Sequence, residues 1–142
     1  LDHFGRRFCA YNPLAGGLLT GRYAHFEDAP TDGRFTHRPN YQGRYWKKSY
    51  FDAVTLLRAA CEAQGITTIE ATYRWLAWHS MLTRGDGNAI IIGASKLDHL
   101  RQNMAALKAG PLPEAITQAF EQAWALCKAD SPEYFTLYKG AK

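Results

Sequence analysis

The sequence has no long apolar run and no dense basic cluster. A helix that crosses a bilayer takes roughly 18 to 20 apolar residues, and no run in the 142 residues approaches that length. Lysine and arginine number 17 against 13 acidic residues, a net charge of +4, and they do not gather on one segment as they do in nucleic-acid-binding proteins. We therefore expect neither a membrane nor a nucleic acid among the partners.

Signals for disulfides and metals are also sparse. Cys9, Cys61 and Cys127 are odd in number, widely spaced and set among apolar neighbours, which favours buried free thiols in a reducing compartment. Neither His-x-x-x-His nor Cys-x-x-Cys occurs, so the sequence predicts no metal site. The expected location is cytoplasmic.

Composition indicates a folded protein of one domain. The residues are 46% hydrophobic and 21% charged, as in soluble globular chains, and the length is near that of a single domain. The chain begins at Leu1 without a methionine or a leader, so either its true N-terminus is missing or processing removed it, and we expect the former.

Two short segments have the pattern of buried strands. Residues 7–11 (RFCAY) are closed by an Asn-Pro turn signal, and residues 89–92 (AIII) are a β-branched run. Runs of this kind are typical of strands covered on both faces in parallel sheets. Residues 12–48 lack a period, and connections of this length are usually functional or disordered. Their aromatic content favours function.

Helical periodicity predicts four helices, near residues 50–65, 68–82, 95–110 and 113–128. A Ser-x-x-Asp pattern at Ser95 and Asp98 predicts a capping box for the third helix. The expected apolar faces are Leu97, Leu100, Met104 and Leu107 on the third helix, and Ile116, Phe120, Ala123, Trp124 and Cys127 on the fourth. The RGDG cluster at residues 84–87 should stop the second helix, and the aromatic residues of the 131–142 tail should dock on the protein.

The first candidate binding segment is residues 12–22 (NPLAGGLLTGR), which follow the first predicted strand. Gly16 and Gly17 would let backbone N–H groups approach a diphosphate, while Thr20 and Arg22 would add a hydroxyl and a charge. The segment is neither a Walker A loop nor a Rossmann fingerprint. An ordinary tight turn fits the spacing equally well.

The second candidate is residues 92–103 (IGASKLDHLRQN), where a strand end leads into a helix. The N-terminus of that helix would favour a phosphate near Ser95 and Lys96, and Asn103 could hydrogen-bond a base edge. The alternative is a capped surface helix with solvated charges. Ligands gather at the carboxyl ends of parallel strands, so two such segments together favour binding.

These two segments closely resemble the last two strand-loop units of the aldo-keto reductases, particularly the branch that reduces aflatoxin aldehyde and succinic semialdehyde. Further agreement comes from residues 41–47 (YQGRYWK), 74–75 (RW), 110–112 (GPL), 120–124 (FEQAW) and 132–135 (PEYF). The resemblance implies an α/β fold, the C-terminal portion of a (β/α)₈ TIM barrel, with residues 7–11 and 89–92 as its last two strands. The whole chain, residues 1–142, would then be a C-terminal fragment, because two strands and about four helices are too few to close a barrel of eight strands.

The resemblance further implies an NADPH cofactor. The implied cofactor-binding residues are Asn12, Pro13, Leu14, Ala15, Gly16, Gly17, Leu18, Leu19, Thr20, Gly21 and Arg22 at the pyrophosphate, and Gly93, Ala94, Ser95, Lys96, His99, Gln102 and Asn103 at the adenosine end. Ser95 would bind the 2′-phosphate. The sequence departs from the branch at His99, where glutamine is common, and at Arg101, where glutamate is frequent.

For the substrate, a small aldehyde or ketone, the resemblance implies contacts from Tyr41 and Arg44, because a guanidinium can grip a carboxylate on two prongs. A solvated loop cation is the plain alternative for Arg44. The Asp, Tyr, Lys and His tetrad of the family would lie on earlier strands, so this segment carries no catalytic residue and His79 is interpreted as structural. A homodimer of the full-length protein is consistent with the resemblance.

Two other interpretations remain open at this point. One is a non-catalytic, regulatory NADP-binding module resembling potassium-channel β subunits, which turnover of a small aldehyde by the full-length protein would distinguish. The other is a non-functional truncated gene product that does not fold alone, which a thermal melt followed by circular dichroism would reveal.

Overall fold

The computed structural model describes residues 7–28, 30, 33–82 and 87–132. Its strands are β1 (Cys9–Ala10) and β2 (Ala89–Ile90); its helices are α1 (Arg34–His37), α2 (Pro39–Tyr45), α3 (Lys48–Ala63), α4 (Thr68–Trp78), α5 (Leu97–Lys108) and α6 (Glu114–Cys127), with 3₁₀ helices at Ala15–Thr20 and Lys128–Asp130. The predictions for residues 84–86 and for Tyr134, Phe135 and Tyr138 lie outside the described residues. Within the described ranges, no helix combines the length and the apolar character needed to cross a membrane.

Strands β1 and β2 pair in parallel, with Cys9 opposite Ala89 and Ala10 opposite Ile90. The pairing is held by backbone bonds from the N–H of Ala89 to the carbonyl oxygen of Phe8 (2.9 Å) and from the N–H of Ile91 to that of Ala10 (2.8 Å). A parallel pair needs a long crossover connection, which α3 and α4 provide here. Both strands therefore end at the same edge of the sheet, and both candidate segments leave from that edge.

The expectation that both strands are buried on two faces is wrong. Cys9 and Ala89 are exposed, Ala10 and Ile90 are only half-buried, and Ile91 keeps 54% of its surface accessible. The physical reason is that the described residues supply no layer over the other face of this two-stranded sheet. The expectation of three buried thiols is wrong at Cys9, which is exposed, and holds at Cys61; Cys127 is half-buried, and all three cysteines are free.

Of the four α-helices between the strands, α3 and α4 form as their periodicity predicts, whereas α1 and α2 lie in the stretch expected to lack a period. Gly65 adopts φ 65° after α3, and the N–H of Ile66 bonds back to the carbonyl of Cys61 (3.0 Å), which closes the end of the helix. The hydroxyl of Thr67 accepts the N–H of Glu70 (3.1 Å) and caps α4. Helix α4 ends at Trp78, one turn before the expected end.

The main apolar core lies where α3 and α6 pack together. Its buried members are Leu57, Cys61, Ala71, Leu112, Ile116 and Ala119. Trp75 of α4 stacks on Phe120 of α6 with ring centroids 5.4 Å apart. The predicted apolar face of α6 is confirmed at Ile116 and Ala123 but not at Trp124, which is 52% exposed.

A second cluster organises the long aperiodic stretch. Leu18, Phe35 and Phe51 are buried in it, and Ala15, Tyr23, Phe26, Tyr41, Tyr45, Trp46, Tyr50 and Val54 pack around them; we call this set the aromatic cluster. Trp46 lies at its centre, with edge-to-face contacts to three rings at centroid distances of 4.8 to 5.2 Å. Its indole N–H also donates to the carbonyl of Phe26 (3.0 Å). Interlocked aromatic rings thus fix a segment that has little regular structure.

Helix α5 differs from its prediction in two respects. It begins at Leu97, and Lys96 occupies the N-cap position without a side-chain bond, so the expected capping box at Ser95 is wrong. The hydroxyl of Ser95 instead lies 3.5 Å from Nδ1 of His99. The apolar stripe is exposed, with Leu97 at 60% and Met104 at 42%, because within the described residues α5 packs mainly against α4 through its other face.

Two side chains of the α4 region hold the connection between α5 and α6. The guanidinium of Arg74 donates to the carbonyls of Gly110 (2.9 Å) and Pro111 (2.5 Å) and pairs with Glu70 (2.9 Å). Nε2 of His79 accepts the backbone N–H of Leu112 (2.8 Å). The structural interpretation of His79 is thereby confirmed.

The buried hydroxyl of Tyr73 generates a stability prediction. The side chain is 0% exposed, and its hydroxyl has no hydrogen-bond partner among the described residues. Burying an unpaired hydroxyl is unfavourable, so Tyr73→Phe should raise the free energy of unfolding by about 1 kcal/mol. Urea denaturation of the complete protein, with and without the substitution, measures this difference in the free energy of unfolding.

Alkaline pH provides a second readout for the same variant. Burial raises the pKa of Tyr73, so the unfolded phenol, which ionises near its ordinary value of about 10, loses its proton first and stability falls as pH rises beyond that value. The phenylalanine variant should lose this part of the alkaline destabilisation. Lower stability of Tyr73→Phe at neutral pH would contradict the prediction.

Candidate functional site

The glycine segment after β1 folds into a tight turn followed by a 3₁₀ helix. Asn12 and Ala15 have positive φ values of 56° and 49°, and Gly16, Gly17 and Gly21 have values of 73°, 104° and 77°. Glycine adopts this region freely, but alanine does so at a cost of about 1 to 2 kcal/mol. The turn at Ala15 is therefore strained and depends on its surroundings.

The backbone N–H groups expected to face a diphosphate already donate hydrogen bonds within the turn. The N–H of Gly16 donates to Oδ1 of Asn12 (3.0 Å), and the N–H of Gly17 donates to the carbonyl of Leu14 (2.9 Å). The hydroxyl of Thr20 donates to the carbonyl of Gly17 (2.6 Å). In this conformation these groups shape the segment rather than offer free donors.

Backbone remains open on the other side of the same segment. No atom lies within 4 Å of the position a Cβ would take at Gly17 or Gly21. Gly16 differs, since a Cβ there would lie 2.9 Å from Cδ1 of Tyr41. Gly16 thus lets an aromatic ring approach from one side, while Gly17 and Gly21 leave room for a ligand.

Tyr41 and Arg44, the predicted substrate contacts, lie on α2 beside this turn. The guanidinium of Arg44 lies 5.9 Å from the ring centroid of Tyr41, and it donates to the hydroxyl of Tyr11 at the end of β1 (3.3 Å). Nε of Arg44 is buried without a hydrogen-bond partner. A buried, unpaired guanidinium N–H is costly and points to an acceptor that a ligand can supply.

The charge of Arg44 is secure. Its partial burial lowers its pKa, but the neighbouring hydroxyls of Tyr45 and Tyr11 raise it by more, so the pKa lies above its ordinary value. Arg44 therefore stays cationic at every pH at which the protein is folded.

Arg34 is a residue that the sequence analysis missed. Its guanidinium lies 5.1 Å from the ring centroid of Tyr41, on which Arg44 also lies. Two cations thus flank one ring next to the glycine turn, a favourable cation–π arrangement. The available signal was weak, because Arg34 occurs among several arginines in an aperiodic stretch.

The second candidate segment, after β2, is largely exposed. Gly93, Ala94, Ser95, Lys96 and His99 are all exposed, and no atom lies within 4 Å of a Cβ position at Gly93. Asn103, by contrast, is 4% exposed. The structure thus presents the start of this segment to solvent and buries its last residue.

A cleft of about 860 Å³ brings parts of both segments together. Thr20 and Gly21 line it from the glycine segment, and Gln102 and Ala106 line it from α5. The start of α4 forms another wall. Of the residues predicted at the adenosine end, Gln102 alone lines this cleft, and Ser95 and Arg44 lie outside it.

A separate cavity of about 670 Å³ lies on the other side of the glycine segment. Apolar side chains from the glycine segment, α3, α4 and α6 line it, including Leu18, Leu57, Trp75, Phe120 and Trp124. Polar cofactors gain little from such a lining, so this cavity is better suited to contact with other apolar protein surface.

The described residues thus combine a parallel two-stranded sheet with packed helices, an α/β arrangement in which both glycine segments follow the carboxyl ends of the strands. The model of the aldo/keto reductase family matches residues 1–125. The chain therefore belongs to the aldo/keto reductase family, which confirms the resemblance seen in its sequence.

Curated relatives agree with this assignment. The chain is 44% identical over 144 residues to human aldo-keto reductase family 7 member A3, covering 95% of this chain and 44% of the relative. It is 45% identical over 145 residues to human aflatoxin B1 aldehyde reductase member 2, covering 95% and 40%. An aldo-keto reductase of Pseudocercospora fijiensis is 37% identical over 140 residues, with 95% and 47% covered. The chain thus spans less than half the length of these relatives.

The close approach at Gly16 generates a prediction with a matched control. Gly16 and Gly21 have similar φ values of 73° and 77°, but only Gly16 faces the ring of Tyr41. Gly21→Ala should therefore lower the free energy of unfolding by about 1 to 2 kcal/mol through backbone strain alone, and Gly16→Ala by a further 1 to 3 kcal/mol, roughly, through overpacking. Equal urea midpoints for the two variants would show that Tyr41 does not press on the turn.

Proposed function

We propose that this chain is the C-terminal portion of an NADPH-dependent aldo-keto reductase that reduces aldehydes and ketones to alcohols. The observation that carries the proposal is the parallel pairing of β1 and β2, which brings both predicted cofactor segments to one edge of a sheet. A barrel that continues this sheet would hold the cofactor across that edge, as ligands are held in barrels of this kind.

The residues of this edge fit a phosphorylated dinucleotide. Open backbone at Gly17, Gly21 and Gly93 gives room for close approach. Residues 12–22 would hold the pyrophosphate, Ser95 and Lys96 the 2′-phosphate, and Gln102 and Asn103 the adenosine. When bound, NADPH supplies the hydride; the residues of this chain bind and orient it.

Arg44 supports a substrate that carries a carboxylate near its carbonyl group. Its charge is permanent, its Nε is buried and unpaired, and Tyr11 already holds its other side in place. A carboxylate would satisfy the unpaired N–H and the charge together. Tyr41 would form the adjacent wall of the substrate pocket.

The remaining parts of the enzyme would come from polypeptide outside this chain. The apolar cavity, the exposed face of α5 and the open strand edges all support apolar cover by further barrel strands and helices. The Asp, Tyr, Lys and His tetrad would lie on those strands, so this chain contributes binding without the proton donor. We extend the proposal to a cytoplasmic location and to a homodimer of the complete protein.

The variant Arg44→Gln tests activity and substrate class together. In the complete protein we expect NADPH oxidation with small aldehydes, and the variant should raise KM for a carboxylate-bearing aldehyde by roughly tenfold or more. KM for a neutral aldehyde of similar size should stay within about twofold. Because Arg44 stays charged, the effect should be the same across neutral and mildly alkaline pH.

Arg38→Gln is the matched control, because Arg38 is an exposed arginine at the start of the same helix. It should leave both KM values unchanged. NADPH binding without turnover of any aldehyde would sink the reductase proposal and favour a regulatory NADP-binding module instead.

The proposed barrel can be tested separately through Cys9. In the isolated chain Cys9 is exposed, whereas Cys61 is buried and burial raises its pKa to about 11. Iodoacetamide should label Cys9 in the folded complete protein at least about tenfold more slowly than in the same protein unfolded in urea, because barrel strands would cover it. Cys61 should stay unlabelled in the folded protein, and equal labelling rates of Cys9 in the two conditions would contradict the barrel placement.

A further inference from the structure

The side chain of Asn12 connects two parts of the proposed site. Its Oδ1 accepts the N–H of Gly16 (3.0 Å), and its Nδ2 donates to the hydroxyl of Tyr45 (2.7 Å). Both bonds are partly buried. The carboxamide therefore bridges the glycine turn and the last residue of α2.

A second hydrogen bond joins the same two parts of the chain. Arg44 donates to the hydroxyl of Tyr11, so residues 11 and 12 at the end of β1 are joined to residues 44 and 45 at the end of α2 by two consecutive contacts. The ring of Tyr41 provides a third contact between α2 and the glycine turn, because it lies against Gly16. Helix α2 and the glycine turn are thus fastened together at three points.

The geometry determines what Asn12 can do. With Oδ1 held by Gly16 and Nδ2 held by Tyr45, its carboxamide serves the turn and is less available to a ligand. The turn also contains Ala15 at φ 49°, a conformation that is unfavourable for alanine. Within the turn the N–H of Ala15 donates to the carbonyl of Asn12 (3.0 Å), and the bond from Nδ2 of Asn12 to the Tyr45 hydroxyl connects this strained turn to α2.

We propose that Tyr45 is a positioning residue that holds the glycine turn in its cofactor-binding shape through Asn12. Helix α2, which carries Tyr41 and Arg44, and the turn then move as one unit, so that the substrate pocket and the pyrophosphate site are assembled together. This inference rests on the proposed function for its ligand, but the structural bridge itself does not.

The test uses Tyr45→Phe in the complete protein, since this variant removes only the hydroxyl. Hydrogen exchange should show the amide of Gly16 exchanging roughly threefold to tenfold faster, with amides of α4 unchanged. The dissociation constant for NADPH should rise by a similar factor. Binding of adenosine 2′-monophosphate, which has no pyrophosphate, should change less than about twofold.

Two further variants make the result specific. Tyr73→Phe deletes the same group from a residue outside the site and should leave Gly16 exchange and both ligand affinities unchanged. In an Asn12→Ala background, Tyr45→Phe should add nothing, because its effect passes through the missing carboxamide.

The outcomes separate the inference from the function on which it rests. Unchanged exchange at Gly16, additive effects of the two variants, or equal weakening of both ligands would overturn the positioning role. If the complete protein binds no NADPH while Gly16 exchange still quickens and the cycle is non-additive, the bridge stands and the proposed reductase function fails.

Discussion

The parallel pairing of β1 with β2 is the constraint on which the rest of the molecule depends. Two residues of each strand are paired, yet this short contact sets the direction in which the segments after β1 and β2 leave the sheet. Because the strands are parallel, the glycine turn and the start of the α5 segment leave from one edge. An antiparallel pairing would send them to opposite edges of the sheet.

The aromatic cluster holds the connection between β1 and α3 in place. Residues 33–47 contain only two short helices, which would not be stable alone. Edge-to-face contacts around Trp46 and the bond from Asn12 to Tyr45 hold them against the glycine turn. The predicted substrate residues Tyr41 and Arg44 and the glycine turn are therefore parts of one packed unit, although they are well separated in the sequence.

Sequence patterns were informative where the cause is local. The ends of α3 at Gly65 and of α5 at Gly110 followed from glycine at left-handed positions, and the long helices followed from their apolar spacing. Predictions failed where the outcome depends on contacts with other segments of the chain. The capping box at Ser95 looked correct by spacing, but the helix begins at Leu97 and Ser95 lies beside His99. The sequence also predicted buried positions for Cys9 and for the apolar stripe of α5. Cys9, Leu97, Leu100 and Met104 are nevertheless exposed.

By itself, the sequence indicated the family through its motifs. It also determined the two strands, the four longer helices and the two glycine-containing segments, because turn residues and periodicity act over a few positions, whereas α1 and α2 were not predicted. Only the tertiary structure decided that the amides of Gly16 and Gly17 are already bonded, that Arg34 and Arg44 flank Tyr41, and that Arg44 keeps an unpaired Nε. These facts depend on contacts between residues distant along the chain. No local pattern encodes such contacts, since they arise only when separate segments compete for the same space and the same hydrogen-bonding groups.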